Sequence, residues 1–264
     1  AESAEEAARR KEEARRLQET KFQERPSYHN VEAEFSKAMA EHGFAFPGSF
    51  PADGQIHRFE GPGSKPGNKD AWGVLFSDAP PAGAYGSWKT GENYNWSLKS
   101  EAAMSTSELS RYRERIDLAR RLREDEQKRN HVKAASAAQA TWGLAEQTLR
   151  HPYLDKKGVQ PYGLRTHGGK LIIPAYNAQG EMTTYEAIDV DGSKRFLTGG
   201  KKKGSWFEIP GKEKVIIAEG YATAASVHEA TGWTVAVAFD AGNLEAVARA
   251  IRARDPNVEI LIAG

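Results

Sequence analysis

Between Lys214 and Gly264, three short apolar runs alternate with two helix-like segments, a rhythm that restricts the fold more than any other feature of the chain. The runs are Val215–Ala218, Thr234–Phe239 and Val258–Ile262. They are rich in Val and Ile and lack strict in/out alternation, as strands covered on both faces do. Leu244, Val247, Ala248 and Ile251 form one helical stripe between the second and third runs. Asn243 is expected to cap that helix and Asp255–Pro256 to stop it. Strand–helix–strand–helix–strand requires right-handed crossovers and a parallel sheet. Ligands of such sheets gather at the carboxyl ends of the strands. Glu219 and Asp240 stand at two of those ends.

The remaining 213 residues obey other rules. Residues 1–30 read as a solvated helix or linker, with Glu5–Arg9, Glu6–Arg10 and Glu12–Arg16 as i, i+4 pairs. Residues 31–104 read as a small α+β unit. Val31, Phe35 and Met39 share one helix face, and Gly43 suits its end. Gln55–Phe59, Ala71–Phe76, Ala82–Trp88 and Asn93–Leu98 then read as antiparallel strands between Gly, Pro, Asp and Asn. Trp72, Trp88, Trp96, Tyr85 and Tyr94 crowd this unit beside Arg58, Lys65, Lys69 and Lys89. Aromatic rings beside cations can stack bases and hold phosphates, but a tiny sheet also needs large side chains for its core. The core reading is favoured for the tryptophans, while Arg58 and Lys89 are freer to serve a ligand; Arg58, Trp88 and Lys89 are the nucleic-acid candidates here. His57 has no metal-binding neighbours in sequence.

Ser105 and Glu108 form a capping box ahead of a long helical connector, residues 105–150, running to about Leu149. Its arginines are balanced by Glu and Asp, so a salt-bridged exposed helix is favoured over a nucleic-acid clamp. Trp142, Leu144 and Leu149 are expected to dock on the next domain. Residues 151–213 read as a short helix and then strands at Leu171–Pro174, Met182–Ile188 and Lys194–Leu197. Asn177–Gly180 and Asp191–Gly192 supply the hairpin turns.

Composition excludes several chemistries. Thirty-seven basic and 36 acidic residues leave no global basic field, so any basic surface is local. The absence of cysteine removes thiol catalysis, disulfides and Cys-based zinc or iron–sulfur sites, and fits a reducing cytoplasm. No apolar run approaches the length of a membrane span. Gly199–Gly204 has the spacing of a phosphate loop, but Ser205–Trp206 stands where Lys followed by Ser or Thr is required. Lys201, Lys202 and Lys203 nevertheless form a basic tip between glycines, readable as a phosphate-contacting loop or as a solvated turn. Glu219, taken alone, reads equally as a helix cap.

Ile216–Ile217–Ala218–Glu219–Gly220–Tyr221, then helix, strand, helix and strand, resembles a Toprim domain. Lys170–Leu171–Ile172–Ile173–Pro174, Asn177–Ala178–Gln179–Gly180 and Lys194–Arg195–Phe196–Leu197 resemble the segment before Toprim in DnaG-like primases. Ala218–Ala224 and Ala238–Leu244 look most like Toprim primases of plasmids and phages, including conjugation-type primases. So does the unit from Trp72 to Trp96, with Pro81–Ala82–Gly83 and Gly86–Gly91. The resemblance covers most of residues 46–264.

It implies a mixed α+β and α/β fold: a small antiparallel unit, a long helical linker and a β-rich primase segment leading into a parallel Toprim sheet at 214–264. The implied activity is synthesis of RNA primers on single-stranded DNA by metal-dependent nucleotidyl transfer from NTPs. Glu219 would hold Mg²⁺ or Mn²⁺ or relay a proton, with Asp240 a weaker metal candidate. Lys194, Arg195, Arg165, Lys201, Lys202 and Lys203 would contact triphosphate or template, and a helicase or relaxase is a natural partner. The first unit occupies the place of a zinc ribbon but cannot bind zinc through Cys. A Toprim Asp-x-Asp pair is expected to begin where the sequence ends, so the chain is read as an inactive or nearly inactive fragment. A single-stranded DNA-binding module and a Toprim nuclease are the alternatives.

Overall fold

Large aromatic side chains build the first of two compact units, which divide between Glu126 and Gln127. A computed structural model describes residues 30–263; the helix or linker expected over residues 1–30 lies outside them except for Asn30. Helix α1 (Val31–Glu41) is followed by strands β1 (His57–Phe59), β2 (Ala71–Phe76), β3 (Ala82–Ser87) and β4 (Asn93–Ser97). The strands form an antiparallel meander in that order. Val31, Phe35 and Met39 are the buried face of α1, as their spacing predicts. Phe35 meets Phe50, Tyr85 and Trp96 edge-on, with ring centroids 5.0, 5.5 and 5.3 Å away. Gly83 permits this approach: a Cβ there would stand 2.7 Å from both the Phe35 ring and the Val74 carbonyl oxygen.

Helix α2 (Thr106–Leu144) starts at the expected capping box. The Ser105 backbone N–H donates to Glu108 Oε2 at 2.7 Å, and the Glu108 N–H donates to Ser105 Oγ at 3.3 Å. Its early turns cover the second face of the meander, where Ala119 is buried with Trp72, Val74, Phe76 and Ala84. Two of its arginines lie over aromatic rings of that face, Arg115 over Phe76 and Arg123 over Trp72. The helix is therefore less solvated in its basic half than its charge pattern predicts.

In the second unit, α2 ends at Leu144 rather than near Leu149, because Glu146–Gln147 are drawn into a ladder as β5 against Arg165–Thr166. Leu144 and Leu149 are 73% and 81% exposed, so the docking expected of them does not occur; Trp142 packs instead, against Arg165. After α3 (Pro152–Lys157), strands β6 (Arg165–His167), β7 (Lys170–Tyr176), β8 (Met182–Ile188) and β9 (Lys194–Phe196) complete a five-stranded antiparallel sheet with β5. Asn177 organises the β7–β8 turn by accepting the N–H groups of Gln179 and Glu181 on Oδ1.

A second sheet holds β10 (Phe207–Ile209), β11 (Lys212–Ala218), β12 (Trp233–Val237) and β13 (Ile260–Ala263), in the order β10-β12-β11-β13. β11 pairs in parallel with both β12 and β13, while β10 runs antiparallel to β12. Helix α4 (Tyr221–Thr231) joins β11 to β12, and α5 (Leu244–Arg254) joins β12 to β13. Ile216, Ala218, Val235 and Val237 face the core containing α4. Val215, Ile217, Ala236 and Ala238 face the core containing Val247 and Ile251 of α5. This two-sided burial explains the unbroken apolar runs. Strand β11 lies where the crossovers diverge, with a later neighbour on either side, the position beside which ligands of open parallel sheets bind.

Candidate functional site

Glu219 comes directly after β11, and Asp240 lies three residues beyond the last residue of β12. The two strand ends are tied by the Ala238 N–H donating to the Ala218 oxygen at 2.8 Å. Both acidic residues thus stand at one carboxyl edge. Glu219 is exposed, and Gly220 behind it precedes α4. Tyr221 fixes the start of α4: its buried hydroxyl donates to the Gln160 oxygen at 2.7 Å and accepts the Tyr162 N–H at 2.8 Å.

Phe239 stands between β12 and Asp240 with φ of 73°, a left-handed backbone on a bulky residue. Such a conformation costs about 1–3 kcal/mol and persists where its surroundings over-determine it. Here the surroundings include Phe196, whose ring meets that of Phe239 edge-on at 5.1 Å.

The lysines arrive from the neighbouring antiparallel sheet. Lys194 of β9 places its ammonium 3.6 Å from where a Cβ on Gly220 would sit, which puts a cation over the backbone beside Glu219. Beneath it, 3.8 Å away, is Glu186 of β8, whose side chain is 6% exposed. Burial pushes the Glu186 carboxyl up, Lys194 and Lys202 pull it down, and Asp240 pushes it up again. The balance lies above the ordinary carboxylate value. Lys202 is ion-paired with Asp240. Glu186 is not among the residues that the sequence singles out. Its signal is a carboxylate at an inward position of the strand Met182–Ile188, two residues from the equally buried Thr184.

Asn243 binds the basic loop to this edge. It is 2% exposed and makes no side-chain cap to α5. Its Oδ1 accepts the Gly204 N–H at 2.8 Å, while Nδ2 donates to the oxygens of Ala238, Ser205 and Lys202 at 2.8, 3.0 and 3.3 Å. The capping role expected of Asn243 is corrected: a short 3-10 turn at Ala241–Asn243 leads into α5, leaving the amide free to hold the loop.

The other candidate residues separate. Arg195 lies on the opposite face of β9 from Lys194 by strand alternation. Arg165 is bound within the unit, its Nη1 donating to the Trp142 oxygen at 2.8 Å and its guanidinium 4.5 Å from the Trp142 ring centroid. Lys203 is exposed beside Lys202. Lys201 borders a cleft of about 430 Å³ with His131, Gln139, Glu181 and Thr183; burial, then the Lys201 charge, holds His131 below its ordinary pKa.

In the first unit, the freedom expected of Arg58 and Lys89 is corrected. Arg58 Nε and Nη2 donate to the Lys69 oxygen at 3.1 and 2.6 Å, and its guanidinium lies over the Trp88 ring, 5.2 Å from the centroid. Lys89 Nζ donates to the Gly63 oxygen at 3.1 Å. Trp88 itself packs with Trp72.

Among the described residues, no group of three or more His, Asp or Glu side chains could hold a metal ion. The described residues also include no helix long and apolar enough to cross a membrane.

No protein-family model matches the chain. It is 36% identical over 249 residues to a DNA primase TraC of Escherichia coli, covering 88% of this chain and 23% of that protein. A second DNA primase TraC of Escherichia coli is 35% identical over 246 residues, covering 88% of this chain and 17% of the relative. The chain thus spans less than a quarter of the curated relatives it matches. A solved complex of the bacteriophage T7 lagging-strand DNA polymerase with gp4 primase domains contains a chain 14% identical, with a TM-score of 0.30, over 44% of this chain and 62% of that one.

Proposed function

We propose that this chain is part of a Toprim-type DNA primase, and that the carboxyl edge of its parallel strands receives nucleoside triphosphates for RNA primer synthesis on single-stranded DNA. The observation that carries the reading is the convergence of Lys194 and Lys202, from the antiparallel sheet and the loop after it, on the edge that holds Glu219 and Asp240. Similarity to two primases along most of the chain supports it.

In primer extension a 3′-hydroxyl oxygen gives up its proton to a base or to water and forms a bond to the α-phosphorus of an NTP, and the bond to the departing pyrophosphate breaks. Positioning and charge neutralisation dominate catalysis of such transfers. Lys194 and Lys202 would hold phosphate oxygens, and Glu219 would face the reacting groups from the end of β11. A divalent ion held by Glu219 and Asp240 together with further ligands would neutralise phosphate charge at this edge. Lys201 and Lys203, on the loop that Asn243 anchors, would extend the cationic surface along a template backbone.

The reading is tested by placing this chain in the equivalent region of a TraC primase and measuring primer synthesis from NTPs on single-stranded templates. An active chimera that loses synthesis with Glu219→Gln is the expected result. Unchanged synthesis in the Glu219→Gln chimera excludes the role given to that carboxylate. Binding by the chain itself separates the alternative of a pure DNA-binding module, which would hold single-stranded DNA in a salt-dependent way and ignore NTPs.

A further inference from the structure

The contact between Lys202 and Asp240 joins the loop after β9 to the turn after β12. Their side chains are 39% and 35% exposed, so both reach solvent in part, while Asp240 Oδ2, the oxygen that meets the lysine, is itself buried. The pair is well supported. Asn243 bonds the Lys202 carbonyl and fixes the loop backbone to the end of β12. The Lys202 ammonium lies 5.4 Å from the centroid of the Phe196 ring, which packs on Phe239. The left-handed turn at Phe239 sets the direction of the next residue, Asp240, whose carboxylate meets the lysine.

Building on the reading of this edge as a polyphosphate site, we propose that Asp240 is an internal anion that occupies Lys202 until a ligand phosphate displaces it, and that this exchange makes the site selective for triphosphates over single phosphates. A ligand must offer Lys202 more than the carboxylate already does, and must tolerate the carboxylate it displaces. One phosphate group gains little by that exchange. A triphosphate brings more charge and more than one point of attachment, so contacts to other cations of the edge, Lys194 above all, offset the lost ion pair. Asp240 is on this account a specificity-determining residue rather than a catalytic one.

Calorimetric titration of the chain with inorganic triphosphate and with orthophosphate, both in EDTA, tests the exchange. Asp240→Asn is expected to bind triphosphate about threefold to tenfold tighter than wild type, the range set by a part-exposed ion pair together with relief of like-charge repulsion. It should gain proportionally more on orthophosphate, so that the preference shrinks. Lys202→Met should weaken triphosphate binding, and Asp240→Asn should gain less in the Lys202→Met background than in wild type, because only the relief of repulsion survives without the lysine. Asp240→Ser repeats the measurement with a different side chain, and melting curves establish that each variant is folded. Triphosphate affinity unchanged or lowered in both Asp240 variants overturns the exchange. In that case a wild-type affinity still reduced by Lys194→Met leaves the polyphosphate reading standing. No triphosphate binding by either wild type or Asp240→Asn overturns both.

Discussion

Lys194 Nζ stands 3.8 Å from Glu186 Oε2, a solvent-reaching ammonium above a nearly buried carboxylate. The pair occupies the seam between the antiparallel sheet and the carboxyl edge of the parallel one, with Lys202 and Asp240 also acting on Glu186. Burial outweighs both lysines, so the folded protein holds the Glu186 proton more tightly than the unfolded chain does. Between the unfolded and folded pKa values the native state binds more protons, and stability falls as pH rises through that window. Glu186→Gln removes this slope. Thermal melts from pH 4 upward should show the difference in Tm, variant minus wild type, increasing with pH. A constant difference would mean that Glu186 does not titrate differently in the folded state.

Asn243 predicts a larger loss. Replacing it with Ala leaves the Gly204 N–H and the Ala238 and Ser205 oxygens without their partner, while the Lys202 oxygen keeps the Ser205 N–H. Unsatisfied buried groups cost about 1–3 kcal/mol each where water cannot reach them, so a total of about 3 kcal/mol is expected from urea denaturation. Asn243→Asp keeps one acceptor and loses the donors, and should be no better. Freed from β12, the Lys201–Lys203 loop should also lose affinity for triphosphate.

Arg165 should behave as a structural residue. Arg165→Ala removes a stacked guanidinium and its bond to the Trp142 carbonyl, for a loss of about 1–2 kcal/mol. The slope of log K against log salt for single-stranded DNA should stay as in wild type, because no phosphate contact is removed. A shallower slope would return Arg165 to the nucleic-acid surface.

Glu108 carries a pH signature opposite to that of Glu186. Its hydrogen bond from Lys99, then those from Ser105, lower its carboxyl to about 2. A depressed folded pKa contributes stability that is full above the unfolded value and fades as pH falls toward the folded one. Glu108→Gln should therefore destabilise the first unit at pH 7 and be nearly silent near pH 2. Melts at the two pH values check the sign.

Much of this architecture was legible because periodicity is local. Val31, Phe35 and Met39 announced α1, Met182–Ile188 announced β8, and the glycine-marked turns at 180 and 192 fell where expected. Glu219 and Asp240 could be placed at strand ends for the same reason. What escaped depends on residues distant in sequence. Asn243 looks like a cap beside its neighbours and becomes a clamp only when Gly204 and Lys202 fold against it. Arg58 looks free until the Lys69 carbonyl and Trp88 are brought to it. Glu186 looks like an ordinary polar residue in a strand until two lysines and an aspartate gather over that face.

The interior place of β11 bears on how the second unit is made. During synthesis this strand leaves the ribosome before either parallel neighbour, and each must return to it across a whole helix. Its hydrogen-bonding edges wait longest where its side chains are most apolar, and late, non-local pairing of that kind is slow and prone to self-association. Shielding of Val215–Ala218 while the rest of the unit emerges is thus a requirement that the strand order places on folding.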